Sequence, residues 1–198
     1  MNTISGQGAD PVLPATAVQP FPAGFRTQNI PVKGVALYVR TGGEGPAVVL
    51  LHGYGETGDM WAPLAAELAR DHTVIAPDLR GMGLTSRPEG NYDKKTQGHD
   101  IAGMLDALQI DRADLVTHDI GIAVQYPERV TRFVIMDAPL PGIGPWEEII
   151  RSRALWHFSF QGPDAERLAA GRERIYLDRF WNEFSADPSR FSEASREH

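Results

Sequence analysis

The chain has 198 residues, 42% of them apolar, which suits one domain with a buried core and argues against wholesale disorder. Its 26 acidic and 19 basic residues give a formal charge of −7, a poor match to a phosphate backbone, and the lack of cysteine excludes a disulfide scaffold, a thiol nucleophile or a thiolate metal site. The longest purely apolar run, Ala47 to Leu51, falls far short of the about 18 residues needed to cross a bilayer, so no membrane or nucleic-acid partner is expected.

Residues 1–24 are rich in Pro, Gly and Ala, show no helical or strand period, and read as a mobile leader. They lack the charged start and apolar core of a signal peptide, so a cytoplasmic location is expected, with a mature exported chain as the alternative. Gln28 to Thr41 alternates polar and apolar residues about a Gly, as an antiparallel hairpin does. Ala47–Leu51, Thr73–Pro77, Ala113–Thr117 and Arg132–Met136 are short and apolar without alternation, which suits the interior of a parallel sheet. Between them Met60, Leu64, Ala65 and Leu68 share one helical face, as do Ile101, Met104, Leu105 and Leu108. Strand–helix alternation of this kind predicts an α/β fold, a mostly parallel doubly wound sheet, over residues 25–141. After Pro141 the pattern turns helical, in Glu147–Leu155, Asp164–Ala170 and Glu173–Phe184, and residues 142–198 read as a separate helical segment. Tyr176, Phe180 and Phe184 stand at helical spacing there, a packing stripe rather than a cofactor site.

Open α/β sheets place their chemistry at the carboxyl ends of the strands. In Leu115-Val116-Thr117-His118-Asp119-Ile120-Gly121 an apolar strand runs into Asp119, flanked two positions away by the small residues Thr117 and Gly121. That is the small-x-nucleophile-x-small turn of strand into helix, with Asp in place of the usual Ser. The plainer reading is a strand-ending Asp that caps the next helix. No Gly-x-Ser-x-Gly and no His-Glu-x-x-His occurs, and Gly81-Met82-Gly83 lacks the third Gly of a dinucleotide fingerprint. No cofactor and no metal is expected.

Four segments in order complete the pattern: Leu50-Leu51-His52-Gly53-Tyr54-Gly55, Asp78-Leu79-Arg80-Gly81-Met82-Gly83, the Asp119 turn, and Met136-Asp137-Ala138-Pro139. From about Phe25 onward the chain resembles the α/β-hydrolase superfamily, in its epoxide hydrolase and dehalogenase branch with an Asp nucleophile. The resemblance implies a partial α/β-hydrolase fold with the start of a helical cap. It makes Asp119 the nucleophile on a saturated carbon, with an alkyl ester as intermediate. The backbone N–H groups of Tyr54 and Ile120 become its oxyanion hole, and Asp137 matches a position that orients the catalytic histidine in several dehalogenases. Asp137 read without the family is a turn-capping Asp. In Leu155-Trp156-His157-Phe158, His157 corresponds to the group facing the leaving atom, with Trp156 and Phe158 as pocket walls. His52 and Arg80 are expected to be structural.

Four departures accompany the resemblance. The family's water-activating histidine comes from a loop beyond the cap, and none of the histidines at 52, 72, 99, 118, 157 and 198 matches it, so the chain reads as truncated and its turnover as impaired. The helix after the turn is shortened to Ile122-Ala123-Val124-Gln125 before Tyr126-Pro127, and Gly55 replaces the Pro of His-Gly-x-Pro. The Arg pair of fluoroacetate dehalogenases is replaced by Ile120 and Ala123, so the expected substrate is a small apolar epoxide, with a haloalkane as the alternative. A further alternative is a non-catalytic fragment that self-associates through an open sheet edge or needs a partner to complete its sheet.

Overall fold

The computed structural model describes residues 20–119, 125–139, 142–190, 192, 193 and 196. β1 (Arg26–Val32) and β2 (Val35–Gly42) form the expected hairpin, longer by two residues at its start, and turn at Gly34. β3 (Ala47–Leu51), β4 (Thr73–Pro77), β5 (Ala113–His118) and β6 (Val130–Met136) then build a six-stranded sheet in the order β1-β2-β4-β3-β5-β6. β2 runs antiparallel to β4, while the β4–β3, β3–β5 and β5–β6 pairs are parallel. The non-alternating strands are the parallel ones, and in β3 and β4 both faces are covered by helices and carry apolar side chains.

Successive β3 residues serve opposite faces. Val49 and Leu51 join Leu37, Val39 and Ile75 under α2 (Lys94–Ala107), which contributes Ile101, Met104 and Leu105. Val48 and Leu50 join Val74 and Ala76 on the other face, against Trp61 and Ala65 at the start of α1 (Ala62–Leu68). Asp93 caps α2 by accepting the Thr96 N–H at 2.9 Å, one of the helix's otherwise unpaired first donors. Phe21 and Phe25 pack edge to face at 4.8 Å beneath the second cluster, so the packed chain begins inside the segment read as a leader; residues 1–19 lie outside the described residues.

β6 closes one side of the sheet. Phe133, Val134, Ile135 and Met136 alternate between its two faces and all remain exposed, and among the described residues no strand pairs with its outer edge. The later helices are α3 (Trp146–Arg151), a 3₁₀ segment Arg153–Phe158, α4 (Pro163–Ala169) and α5 (Glu173–Glu183). The predicted helix from Glu147 to Leu155 is broken at Ser152, which leaves helical geometry and caps the 3₁₀ segment through Ala154 N–H. Among the described residues no helix is long and apolar enough to cross a membrane.

Candidate active site

The loop after β3 is built around a buried imidazole. His52 is fully buried, its Nε2 accepts the Leu79 N–H at 2.9 Å, and its Nδ1–H donates to the Gly53 carbonyl at 3.0 Å. Both contacts need the neutral ring, and burial pushes its pKa below the ordinary 6.5. Because the unfolded chain takes up the proton first, this contribution is whole above pH 6.5 and is lost as the pH falls below it. Urea unfolding is expected to lose up to about 1.4 kcal/mol per pH unit from this group below pH 6.5. A His52→Gln variant, less stable at pH 7, should lack that part of the slope. Nearby, Arg80 makes a two-pronged buried ion pair with Asp100, both contacts at 2.7 Å, which ties the loop after β4 to α2.

Asp119 stands at the end of β5 with φ +57°, in the left-handed region that side-chain-bearing residues rarely occupy. Its own N–H is held by the Met136 carbonyl at 3.0 Å, and its Oδ2 accepts the Tyr54 N–H at 3.1 Å. The turn thus aims the carboxylate at the loop after β3, which approaches closely because residue 53 is Gly. A Cβ there would lie 2.4 Å from Asp119 Cβ and 3.0 Å from Glu56 Oε2. Gly53→Ala is expected to cost about 1–3 kcal/mol by overpacking and to displace the Asp119 carboxylate from the Tyr54 N–H. Denaturant melts measure the first effect, and a crystal structure of the variant measures the second.

Two charged groups line the same turn. Glu56 Oε2 accepts the Gly53 N–H at 2.7 Å and the His118 Nδ1–H at 2.9 Å, and this carboxylate holds the His118 pKa above 6.5. The Lys94 ammonium is pushed down by burial and partly restored by the charge of Asp119. Asp137, also in left-handed geometry at φ +51°, lies with its Oδ2 3.9 Å from His118 Nε2 and is 92% exposed. The structure therefore brings Asp137 beside His118. Sequence reading had given neither Glu56 nor His118 a role, and a Glu three residues after a strand-end His-Gly offers no local signal of a partner 62 residues away.

Residues of the 3₁₀ segment and of α5 pack against Tyr54 and around it. Its ring meets Tyr176 at 6.2 Å and Phe180 at 5.6 Å, and Phe180 in turn meets His157 at 4.9 Å. Trp156 packs on Tyr176 at 5.7 Å and Phe158 on His157 at 4.7 Å, so Trp156, His157 and Phe158 all join one aromatic cluster. The stripe of Tyr176, Phe180 and Phe184 is packing surface, and what it packs on is the loop that holds Asp119. Burial, with the Arg179 charge, pushes the His157 pKa down, and its Nδ1 has no hydrogen-bond partner among the described residues. Residues 120–124, where the shortened helix was expected, lie outside the described residues, and with them the second N–H of the expected oxyanion hole. Among the described residues no group of three or more His, Asp or Glu side chains is placed to hold a metal ion.

A family model for the alpha/beta hydrolase fold matches residues 46–184, which is most of the chain. The chain belongs to that family. This α/β-hydrolase is 35% identical over 150 residues to a fluoroacetate dehalogenase from Burkholderia sp., across 69% of the chain and 49% of that protein. It is 32% identical over 176 residues to a soluble epoxide hydrolase from Corynebacterium sp. (strain C12), across 82% of the chain and 61% of the relative. The crystal structure of Cfl2 from Burkholderia cenocepacia superposes with a TM-score of 0.76 at 36% identity, covering 88% of this chain and 64% of that one. The α/β-hydrolase thus spans about half to two thirds of the proteins it matches.

Proposed function

We propose that this α/β-hydrolase opens small apolar epoxides through an alkyl ester on Asp119. The observation that carries the reading is a carboxylate at φ +57° on a strand end, facing the backbone N–H of Tyr54 at 3.1 Å. A carboxylate is ionised near neutral pH and leaves an ester that water can cleave, which suits substitution at a saturated carbon. The Asp119 oxygen attacks a ring carbon, the C–O bond of the epoxide breaks, and the new alkoxide takes a proton. His157, on the cap side with its carbon neighbours Trp156 and Phe158, is the group proposed to face that oxygen. The Tyr54 N–H then serves the oxyanion formed when the ester is hydrolysed.

The aromatic cluster over Tyr54 and the absence of an Arg at 120 or 123 favour an apolar substrate over a carboxylate-bearing one. The likeness to a dehalogenase supports a second reading, a haloalkane attacked by the same carboxylate with halide as leaving group. Intact mass after incubation with styrene oxide or with 1-bromobutane separates the two. A mass gain of the whole epoxide supports the first, and a butyl gain with free bromide supports the second. A folded sample that gains neither mass and releases neither diol nor bromide would overturn the Asp119 reading.

A further inference from the structure

We propose that Arg179 is a positioning residue for the opening of the epoxide, fastening the segment that carries His157 to α5 and setting a positive charge beside that imidazole. The inference rests on the reading of Asp119 as the nucleophile and of His157 as the group that meets the opening oxygen. Ring opening alone is concerned, whatever becomes of the ester afterwards.

The 3₁₀ segment Arg153–Phe158 is irregular just where it must be firm. Leu155, two residues before His157, leaves helical geometry at φ −106° and ψ 29°. The carbonyl before it, that of Ala154, accepts from Arg179 Nη2 across 25 residues of sequence. The guanidinium also lies over the Trp156 ring at 5.3 Å and the Phe184 ring at 5.1 Å. Trp156 adjoins His157 in the chain, and Phe184 meets the His157 ring at 6.1 Å, so Arg179 holds a neighbour of the imidazole on each of the two elements. Its Nε donates to Glu183 at 3.0 Å, one turn further along α5. Nη1 is buried and makes no hydrogen bond among the described residues, so that end of the cation faces rings rather than water. A planar fork that serves a carbonyl, a carboxylate and two ring faces together is a task for which Lys is no substitute.

In ring opening an Asp119 oxygen bonds to a ring carbon, and the bond from that carbon to the epoxide oxygen breaks. The epoxide oxygen keeps the electron pair and takes the proton of the His157 imidazolium. The products are a hydroxyalkyl ester on Asp119 and a neutral imidazole, which regains its proton from solvent.

Two charges of opposite sign act on His157, Arg179 from α5 and Asp119 from the turn after β5. Its ring neighbours, Phe158 in its own segment and Phe180 and Phe184 in α5, are uncharged. Burial and Arg179 hold its pKa below 6.5, while Asp119 works the other way. An imidazolium so placed gives up its proton readily, which suits a donor to an alkoxide. Opening should therefore slow as the pH rises past that pKa, along a limb whose midpoint lies below pH 6.5. Without the Arg179 charge the imidazolium forms more easily, and the limb should move to higher pH.

The test follows consumption of styrene oxide with protein in excess between pH 5 and 8, corrected by the Asp119→Asn chain, for the parent, Arg179→Met and Arg179→Lys. Protein in excess makes the rate report the first ring opening only, and a thermal melt of each sample reports folding. The parent rate is expected to fall along the limb below pH 6.5. Arg179→Met should react about tenfold or more slowly at the top of its limb, with the midpoint higher by at least about half a pH unit. Arg179→Lys keeps the charge but not the fork, so it should be several-fold slower at every pH with the midpoint in place. A purely structural role would lower the rate of both and move neither midpoint. A folded Arg179→Met with the parent's midpoint, an Arg179→Lys chain as fast as the parent, or a parent rate that does not fall over this range overturns the role of Arg179 and leaves Asp119 standing. If the Met variant does not fold, the Lys variant and the parent limb decide. A folded parent that consumes styrene oxide no faster than Asp119→Asn overturns the Asp119 reading and this inference together.

Discussion

Asp119→Asn is expected to lower alkylation by styrene oxide by about 10⁴-fold or more while the chain melts as the parent does. The amide nitrogen and oxygen are poor nucleophiles towards a saturated carbon, whereas the carboxylate carries a full charge at neutral pH. The backbone should tolerate the change, because Asn is among the few side chains that enter the left-handed region with ease, and φ at this position is +57°. Its Oδ1 can still accept the Tyr54 N–H that Asp119 Oδ2 accepts at 3.1 Å. Intact mass, with a thermal melt on the same sample, reads both halves of the expectation. An adduct of the same size and rate on the Asn variant would place the nucleophile elsewhere.

The largest loss of stability is expected from Arg40→Met, about 3–5 kcal/mol and a melting temperature lower by on the order of 10 °C. Arg40 is 1% exposed, donates to Asp78 Oδ1 at 2.7 Å, pairs with Asp59, and lies over the Tyr38 ring at 4.8 Å. Removing the guanidinium leaves the fully buried Asp78 carboxylate without its counter-charge. Asp78 cannot be given up in compensation, because it also accepts the Gly58 N–H at 2.8 Å and the Leu84 N–H at 3.0 Å. The double variant Arg40→Met with Asp78→Leu should therefore stay well below the parent, since it strands two backbone donors. The same contacts fix the far end of the loop that begins at Gly53, so alkylation at Asp119 should slow in proportion as the Tyr54 N–H loses its place. Urea melts of the three chains measure the energies. A double variant as stable as the parent would show that Asp78 serves only as counter-ion.

Local patterns carried much of this fold. Ala47–Leu51 and Thr73–Pro77 are strands at their predicted bounds, and Ala113–Thr117 is extended by His118. A run apolar on both faces states its own environment, two covering layers, without reference to any partner. The sharp end of β5 was legible for a similar reason: a small residue two positions before Asp119 marks an abrupt turn out of the strand, and Asp119 leaves it at φ +57°, while the helix expected after it lies outside the described residues. The break at Ser152 was not legible, because the helical period continues through it and the 3₁₀ segment that follows is set by the cap at Ser152.

The groups around Asp119 belong to a different scale. Glu56 and His118 are 62 residues apart, Arg40 and Asp78 are 38 apart, and Tyr54 meets Phe180 across 126 positions (180 less 54). No period or spacing within one segment encodes such pairs. The Glu56–His118 pair arises because β3 and β5 run parallel as neighbours, which brings the turns after both strands to the same edge of the sheet, and Arg40 meets Asp78 because β2 lies antiparallel beside β4. The sequence by itself thus determined the strands, their covered faces and the residue at the strained turn, through short-range sterics and hydrophobic period. Only the tertiary structure decided which charges stand beside that residue, because strand order is a long-range choice and partners at a sheet edge are set by it.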